Sequence, residues 1–164
     1  MMAPLVTHAG ASFPLPEGYT LGASGPEGLQ ASDALGGLLQ LLAKPVSLPR
    51  AMLGLLRGNR DQFLQILGAQ VPSLLMQAVA AQADAEPSAR HSPIASQVVA
   101  LPSGSALFAS TQVFLRGQER TLALWLLAPP SLKQFYVLSL AYPGDLAQAQ
   151  ALMAPTLASL QLRD

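Results

Sequence analysis

The stretch RTLALWLLAPPSLKQFYVLSLAY, which runs from Arg120 to Tyr142, decides the fold. Two apolar runs flank Pro129-Pro130-Ser131, and because proline presets φ and cannot donate to a strand ladder, these three residues predict a turn. A connection this short forces its two strands to be antiparallel, since a parallel crossover needs a dozen residues or more. The stretch therefore predicts an antiparallel hairpin.

Two further turn signals extend the hairpin toward the N-terminus. Leu101-Pro102-Ser103-Gly104 and Arg116-Gly117-Gln118-Glu119 each separate apolar runs, and glycine supplies the positive φ that tight turns need. The result is an antiparallel meander of four strands. They are Pro93–Ala100, Ser105–Leu115, Arg120–Ala128 and Leu132–Tyr142.

Both faces of the last two predicted strands are apolar, because side chains alternate between the faces of a strand. A sheet with one face in water would alternate apolar and polar residues instead. We therefore expect helices or a partner subunit to cover both faces, with Tyr136, Leu138 and Leu140 as the interface if the chain forms a homodimer. The alternating sets are Leu122, Leu124 and Leu126 against Ala123, Trp125 and Leu127, and Phe135, Val137 and Ala141 against Tyr136, Leu138, Leu140 and Tyr142.

A closing helix over Asp145–Leu160 is predicted to cover one of these faces. Asp145 is a favourable N-cap, since its side-chain oxygen can accept a free backbone N–H. Pro155 lies inside the pattern, where it removes a helical hydrogen bond, so we expect a kink or a break there. The apolar stripe is Leu146, Ala149, Met153, Leu157 and Leu160.

The N-terminal third predicts one strand and then several short helices. Proline makes the predicted strand Ala11–Leu21 an edge strand or a strand entry, and Ala23–Gln30 is predicted to be a loop. In the segment 32–85, apolar residues recur at helical spacing in groups separated by proline, glycine or capping residues, which predicts three or four short helices. The groups are Leu35, Leu38, Leu39 and Leu42; Met52, Leu53 and Leu56; Phe63, Ile66 and Leu67; and Leu75, Met76 and Val79.

This helical segment supplies the candidate binding surface. Its charges are sparse and mainly basic, which is compatible either with solvated faces of a helical subdomain or with an amphipathic basic patch that contacts lipid or a partner helix. The candidate residues are Leu53, Leu56, Phe63, Leu67, Met76, Arg57 and Arg60.

Composition limits the class of protein. The chain has 164 residues, which predicts a single α+β domain over 1–164, with the helical insertion at 32–85 and the sheet plus closing helix at 92–162. The formal net charge is zero, which argues against nucleic acid as a partner. Charged residues make up 11 % of the chain, against about 25 % in typical domains, and this favours oligomerisation or an apolar binding face.

No catalytic or metal-binding pattern stands out. There is no cysteine, and neither His8 nor His91 has the neighbours of a metal motif. His91 and Ser92 resemble half of a nucleophilic pair, but adjacent side chains in an extended linker point apart. Trp125 is either a core residue or a ligand-stacking ring. We therefore expect a protein without enzymatic activity, cofactor or metal.

The sequence also bears on localisation. Its first residues have neither a basic region nor a continuous apolar core, so they do not predict a secretory signal, and the expected localisation is cytoplasmic. The longest uncharged helical window, Gln62–Ala83, contains several glutamines, Gly68 and Pro72, which makes it a poor membrane span.

Four short motifs resemble the PsbP-like and Mog-type α/β sandwich superfamily, including its DcrB-like bacterial branch. They are FPLPEGY at Phe13–Tyr19, PSG at Pro102–Gly104, FYVLSL at Phe135–Leu140 and APTLASLQL at Ala154–Leu162. The resemblance covers residues 11–30 and 92–162. It implies a strand and helix before an antiparallel meander and a final helix. It also implies a non-enzymatic adaptor role, as in photosystem assembly subunits, a small-GTPase-binding protein and secretion chaperones.

These observations predict an α+β fold in which an antiparallel meander sheet of about five strands is covered by helices, with a multi-helix insertion between strand 1 and the other strands. The predicted function is non-enzymatic binding, assembly or chaperone-like recognition of a protein segment through an apolar helix or sheet surface. The alternative is a carrier of a small apolar ligand, such as a lipid or acyl chain, held between sheet and helices.

Overall fold

The computed structural model describes residues 5–25, 28–34, 36–46, 49–75, 90–91, 94–102, 104–115, 118–129, 132 and 134–162. An eight-stranded antiparallel sheet forms the central layer, and three short strands form a second sheet. The strands are β1 (Leu5–His8), β2 (Ala11–Pro14), β3 (Thr20–Ser24), β4 (Gly28–Ser32), β5 (Leu38–Pro45), β6 (Arg90–His91), β7 (Ala95–Leu101), β8 (Gly104–Leu115), β9 (Gln118–Leu127), β10 (Gln134–Tyr142) and β11 (Gln161–Leu162). The helices are α1 (Arg50–Leu56), α2 (Arg60–Gly68), α3 (71–75) and α4 (Leu146–Ala158).

The predicted meander is confirmed. β7, β8, β9 and β10 pair in sequence order, each antiparallel to the next. One row of directly opposite residues crosses all four strands: Gln97 faces Phe108, Phe108 faces Trp125, and Trp125 faces Leu138. The α+β class with an antiparallel sheet and helical cover is therefore as predicted.

The central sheet continues beyond β10 through residues predicted to be helical. β5 pairs with β10, so that Leu41 lies opposite Leu138, and β4 and β3 follow outward. The first predicted helix, with Leu38, Leu39 and Leu42, is therefore wrong. Leucine favours helices on its own, but pairing with β10 provides the ladder hydrogen bonds and buries Leu39 and Leu41 on one face, so tertiary context decides the structure.

The N-terminal predictions also need correction. Ala11–Leu21 is not one strand: β2 ends at Pro14, and β3 begins at Thr20 in the other sheet. Between them the backbone N–H of Tyr19 donates to the carbonyl of Pro16 at 3.1 Å, which closes a turn. Ala23–Gln30 is not a loop, because it contains the end of β3 and the start of β4. Together with β5 and β6, β3 and β4 bring the central sheet to eight strands, against about five predicted.

The helical insertion is confirmed for α1 to α3, but it begins after β5. Pro49 precedes α1, and the Asn59 side chain accepts the Gln62 N–H at 3.1 Å to cap α2. Gly68 ends α2 against β8, where a Cβ would lie 2.6 Å from a methyl group of Leu107. The glycine therefore lets the helix approach the sheet closely. The predicted members 76–85 lie outside the described residues.

Two apolar clusters occupy the two faces of the central sheet. On the first, here called the α4 face, Trp125 and Leu138 pack with Phe13 of the small sheet and Met153 of α4. On the second, the α1–α3 face, Leu124 belongs to the cluster formed with the other helices. The predicted double cover is thus confirmed. Tyr136, Leu138 and Leu140 are at most 1 % exposed, so they are core residues of one chain and the predicted dimer interface on them is wrong.

The closing helix α4 begins as predicted. The Asp145 carboxylate accepts the Gln148 N–H at 2.8 Å and the Gln148 side chain accepts the Asp145 N–H at 3.2 Å, which together form a capping box. The helix continues through Pro155, so the predicted break does not occur. Pro155 and Ala151 are both exposed, and water can therefore solvate the carbonyl that proline leaves without a helical donor.

Candidate binding cleft

An open cleft of about 320 Å³ lies on the α4 face, between α4 and the strands β7, β8 and β9. Its lining residues are Gln97, Val99, Leu101, Pro102, Phe108, Trp125, Gln150, Ala154, Leu157 and Ala158.

Two aromatic side chains form the floor of the cleft. Phe108 and Trp125 are opposite partners on β8 and β9, with ring centroids 5.1 Å apart and ring planes inclined at 41°. Both are more than nine-tenths buried within the apolar cluster, but each also has surface in the cleft. A tilted pair at this distance is a favourable aromatic arrangement. The core prediction for Trp125 is confirmed, and its ring is also placed to contact a ligand.

The helix wall of the cleft combines two alanines with one glutamine and one leucine. Gln150, Ala154 and Ala158 are four residues apart, which puts them on one stripe of α4. All three are exposed, whereas Met153 and Leu157 on the adjacent stripe are buried against the sheet. The cleft exists because alanines stand where larger side chains would close it.

The strand wall is the cleft-facing side of β7. Gln97, Val99 and Leu101 alternate along the strand and therefore point to the same face. Like the helix wall, it combines apolar surface with one amide side chain. Among the described residues that line the cleft none is ionisable, so this lining is suited to binding an apolar group and offers no side chain for acid–base chemistry.

The predicted site residues lie on the opposite face of the sheet. Leu56, Phe63 and Leu67 are buried in the cluster beneath α1 and α2, with Leu53 packed at its margin. Arg57 is exposed at the end of α1.

The two other members of that set need separate mention. Arg60 is the first residue of α2, and Met76 lies outside the described residues. The structure brings the leucines and Phe63 together in the apolar cluster between the helices and the sheet. Their role in binding stays a prediction. The apolar side chains of α1 and α2 that do face outward are Met52, Leu55 and Ile66.

The cleft residues other than Trp125 were not singled out from the sequence. The sequence contains a lone tryptophan and, in α4, alanines four residues apart, but only the docking of α4 on the sheet brings them together. Among the described residues, no cluster of three or more histidine or acidic side chains is arranged to hold a metal ion. None of the helices in those same ranges combines the length and the hydrophobicity that a bilayer span requires.

Comparison with solved structures identifies the fold. Cyanobacterial PsbP (CyanoP) from Synechocystis sp. PCC 6803 matches at a TM-score of 0.58 with 12 % identity, over 99 % of this chain and 93 % of that one. The Ran-binding protein Mog1p of Saccharomyces cerevisiae matches at 0.57 with 9 % identity, over 100 % and 97 %. The fold is of the PsbP/Mog type. The resemblance expected from the sequence motifs is thus confirmed in the three-dimensional structure.

A further solved structure is also similar to this chain. A protein from Bacteroides thetaiotaomicron matches at a TM-score of 0.58 with 12 % identity, and this chain spans only 50 % of its length. No protein-family model and no curated protein sequence matches the chain. At identities this low, a PsbP/Mog-type fold specifies the architecture, and function has to be argued from the cleft.

Proposed function

We propose that this PsbP/Mog-type domain is a non-enzymatic binding protein that accepts an apolar side chain of a partner protein in the cleft between α4 and β7. One observation carries the proposal: the aromatic floor of Phe108 and Trp125 is open to a cleft whose helix wall includes two alanines. An apolar group that enters would cover aromatic surface on the floor and gain hydrophobic free energy.

The polar groups of the cleft support binding to a protein segment. Gln97 on β7 and Gln150 on α4 line the cleft and are both exposed. Binding sites of this kind are typically apolar, with a few polar groups that fix the orientation of the ligand. An amide side chain can donate to and accept from a peptide backbone at the same time. A structural neighbour is a Ran-binding protein, which supports protein binding as the class of function.

A second candidate is the carrier of a small apolar ligand. It is favoured by the cleft volume of about 320 Å³, which lies at the lower end of the range for small-molecule sites. Against it, the cleft is open along the edge of the sheet, so a free acyl chain would stay partly exposed to water. A side chain that belongs to a partner protein would instead be shielded by that protein.

The fluorescence of Trp125 tests the proposal directly, because it is the only tryptophan in the chain. The probes are blocked tripeptides with a central leucine, phenylalanine or serine, and decanoate. We expect the leucine and phenylalanine peptides to change the emission of Trp125 and the serine peptide to leave it unchanged. Decanoate that acts at lower concentration than either peptide would favour the carrier.

A pair of matched variants locates the binding. Ala154→Leu fills the cleft from α4, whereas Ala151→Leu adds the same atoms to an exposed position on the same helix that does not line the cleft. The peptide response should be lost in Ala154→Leu and retained in Ala151→Leu. If both variants respond as the unmodified protein does, or if no probe alters the emission, the proposed site is wrong.

A further inference from the structure

The outer edge of β7 offers a second kind of contact beside the cleft. β7 pairs with β8 over seven consecutive residues, Ala95 to Leu101, without a register shift. In the part of the chain that the structure describes, β8 is the only strand paired with β7. Alternate residues of an antiparallel strand direct their N–H and C=O groups away from the partner strand. The edge therefore presents a regular row of backbone donors and acceptors, which is a template for a further strand.

The sequence of β7 lacks the devices that normally protect such an edge. ASQVVAL contains no charged residue and no proline, and its ladder has no bulge. The opposite edge of the same sheet differs, because the pairing of β3 with β4 shifts register between Leu21 and Ser24. Irregular pairing of that kind twists an edge and discourages strand addition. The contrast singles out β7 as the edge suited to pairing.

The edge of β7 and the cleft are continuous. Gln97, Val99 and Leu101 form the strand wall of the cleft and belong to the edge strand itself. A strand added to β7 would lie about 4.8 Å further out and direct every second side chain to the same face. Those side chains would stand at the mouth of the cleft, beside these three residues.

We propose that the partner of this domain is an extended, uncharged segment that adds to the central sheet along β7 and places an apolar side chain in the cleft. This rests on the proposed function, because the cleft supplies the pocket that selects the side chain. The segment is uncharged because neither β7 nor any described residue of the cleft lining carries a charge that would pair with one. Strand addition gives affinity through the main chain and selectivity through the pocket.

The test compares peptides that share one leucine. The first is the blocked tripeptide with a central leucine, and the second is a blocked heptapeptide in which three threonines flank that leucine on each side. Backbone pairing along β7 should make the heptapeptide bind about tenfold tighter, since each net hydrogen bond contributes about 0.5 to 1.5 kcal/mol against the cost of ordering. Alternate backbone amides of β7 should gain protection from hydrogen exchange when it binds.

Two N-methylated heptapeptides separate strand pairing from side-chain insertion. N-methylation removes a donor and blocks one edge of an extended peptide, and neighbouring residues present their amides to opposite edges. Methylation of the odd-numbered amides in one peptide and the even-numbered amides in the other should abolish the tenfold gain in one peptide only.

The outcomes are distinct from those of the cleft test. A heptapeptide that binds no tighter than the tripeptide, or equal binding of both methylated forms, overturns strand addition while the tripeptide response still upholds the cleft. A dimer in sedimentation that the heptapeptide does not dissociate would assign the edge to a second copy of the chain, and this also overturns the proposal.

Discussion

Phe108 and Trp125 are directly opposite residues of β8 and β9, and their ring centroids are 5.1 Å apart. The pair is both part of the core and the floor of the cleft. Aromatic pairs of this kind contribute about 0.5 to 1.5 kcal/mol beyond the burial of their surface. The contribution of this pair to stability can therefore be measured without a ligand.

Replacement of Phe108 tests that coupling. Phe108→Ala should lower the free energy of unfolding by about 3 kcal/mol, because it removes buried surface and the contact with Trp125. A double-mutant cycle with Trp125→Leu, measured by urea denaturation followed by circular dichroism, should give an interaction energy of about 1 kcal/mol. Strictly additive effects would show that the two rings do not stabilise one another.

Filling the cleft should stabilise the fold. Ala154→Leu adds three carbons that can cover Trp125, and partial burial of these should raise the free energy of unfolding by roughly 1 kcal/mol. Ala151→Leu is the control, because leucine and alanine differ little in helix propensity and Ala151 is exposed outside the cleft. Equal changes in the two variants would mean that the cleft does not receive the leucine side chain.

The sequence predicted the parts of this fold that local chemistry determines. Turn residues placed β7 to β10, and Asp145 placed the start of α4. β5 was missed because its leucines suit either a helix or a strand. The segment is a strand because it pairs with β10, and this pairing cannot be inferred from local sequence. The cleft was missed for a similar reason: Ala154 acquires a role only when α4 is docked beside Trp125, and sequence spacing does not contain that distance.

Gly37 should be intolerant of a side chain, and Tyr19 is the reason. A Cβ at Gly37 would overlap the hydroxyl of Tyr19, which is buried and has no hydrogen-bond partner among the described residues. Gly37→Ala should therefore destabilise the protein by about 1 to 3 kcal/mol. Tyr19→Phe, which removes an unpaired hydroxyl, should be nearly neutral alone and should reduce the cost of Gly37→Ala. Thermal denaturation of the four proteins completes the cycle, and an unchanged cost in the phenylalanine background would contradict the overlap.

The same tyrosine should make stability depend on alkaline pH. Burial, and next the electrostatic interactions with Asp33 and Tyr142, raise the pKa of Tyr19 from 10.0 to about 12. Between these values the unfolded chain loses the phenolic proton before the folded chain does, so the folded state binds more protons. Stability from Tyr19 is thus complete below pH 10 and decreases as pH rises toward 12.

The measurement is the free energy of unfolding as a function of alkaline pH in the parent protein and in Tyr19→Phe. The decrease between pH 10 and about 12 should be shallower in the variant, because the phenolic proton of Tyr19 no longer contributes to it. Ultraviolet absorbance of tyrosinate should show one late-titrating group missing. Identical pH profiles would assign the alkaline loss of stability to other residues.

A hydrogen bond links α4 to the small sheet, and its removal should loosen the helix that forms one wall of the cleft. The Thr156 hydroxyl donates to the Pro14 carbonyl at 2.9 Å, and Thr156 is almost fully buried. Thr156→Val keeps the shape but leaves that carbonyl without this donor, which should cost about 1 to 2 kcal/mol. Thr156→Ser keeps the donor and loses only a methyl group, so chemical denaturation should show a smaller loss. If serine is the more damaging substitution, packing of the methyl group, rather than the hydrogen bond, holds α4 against β2.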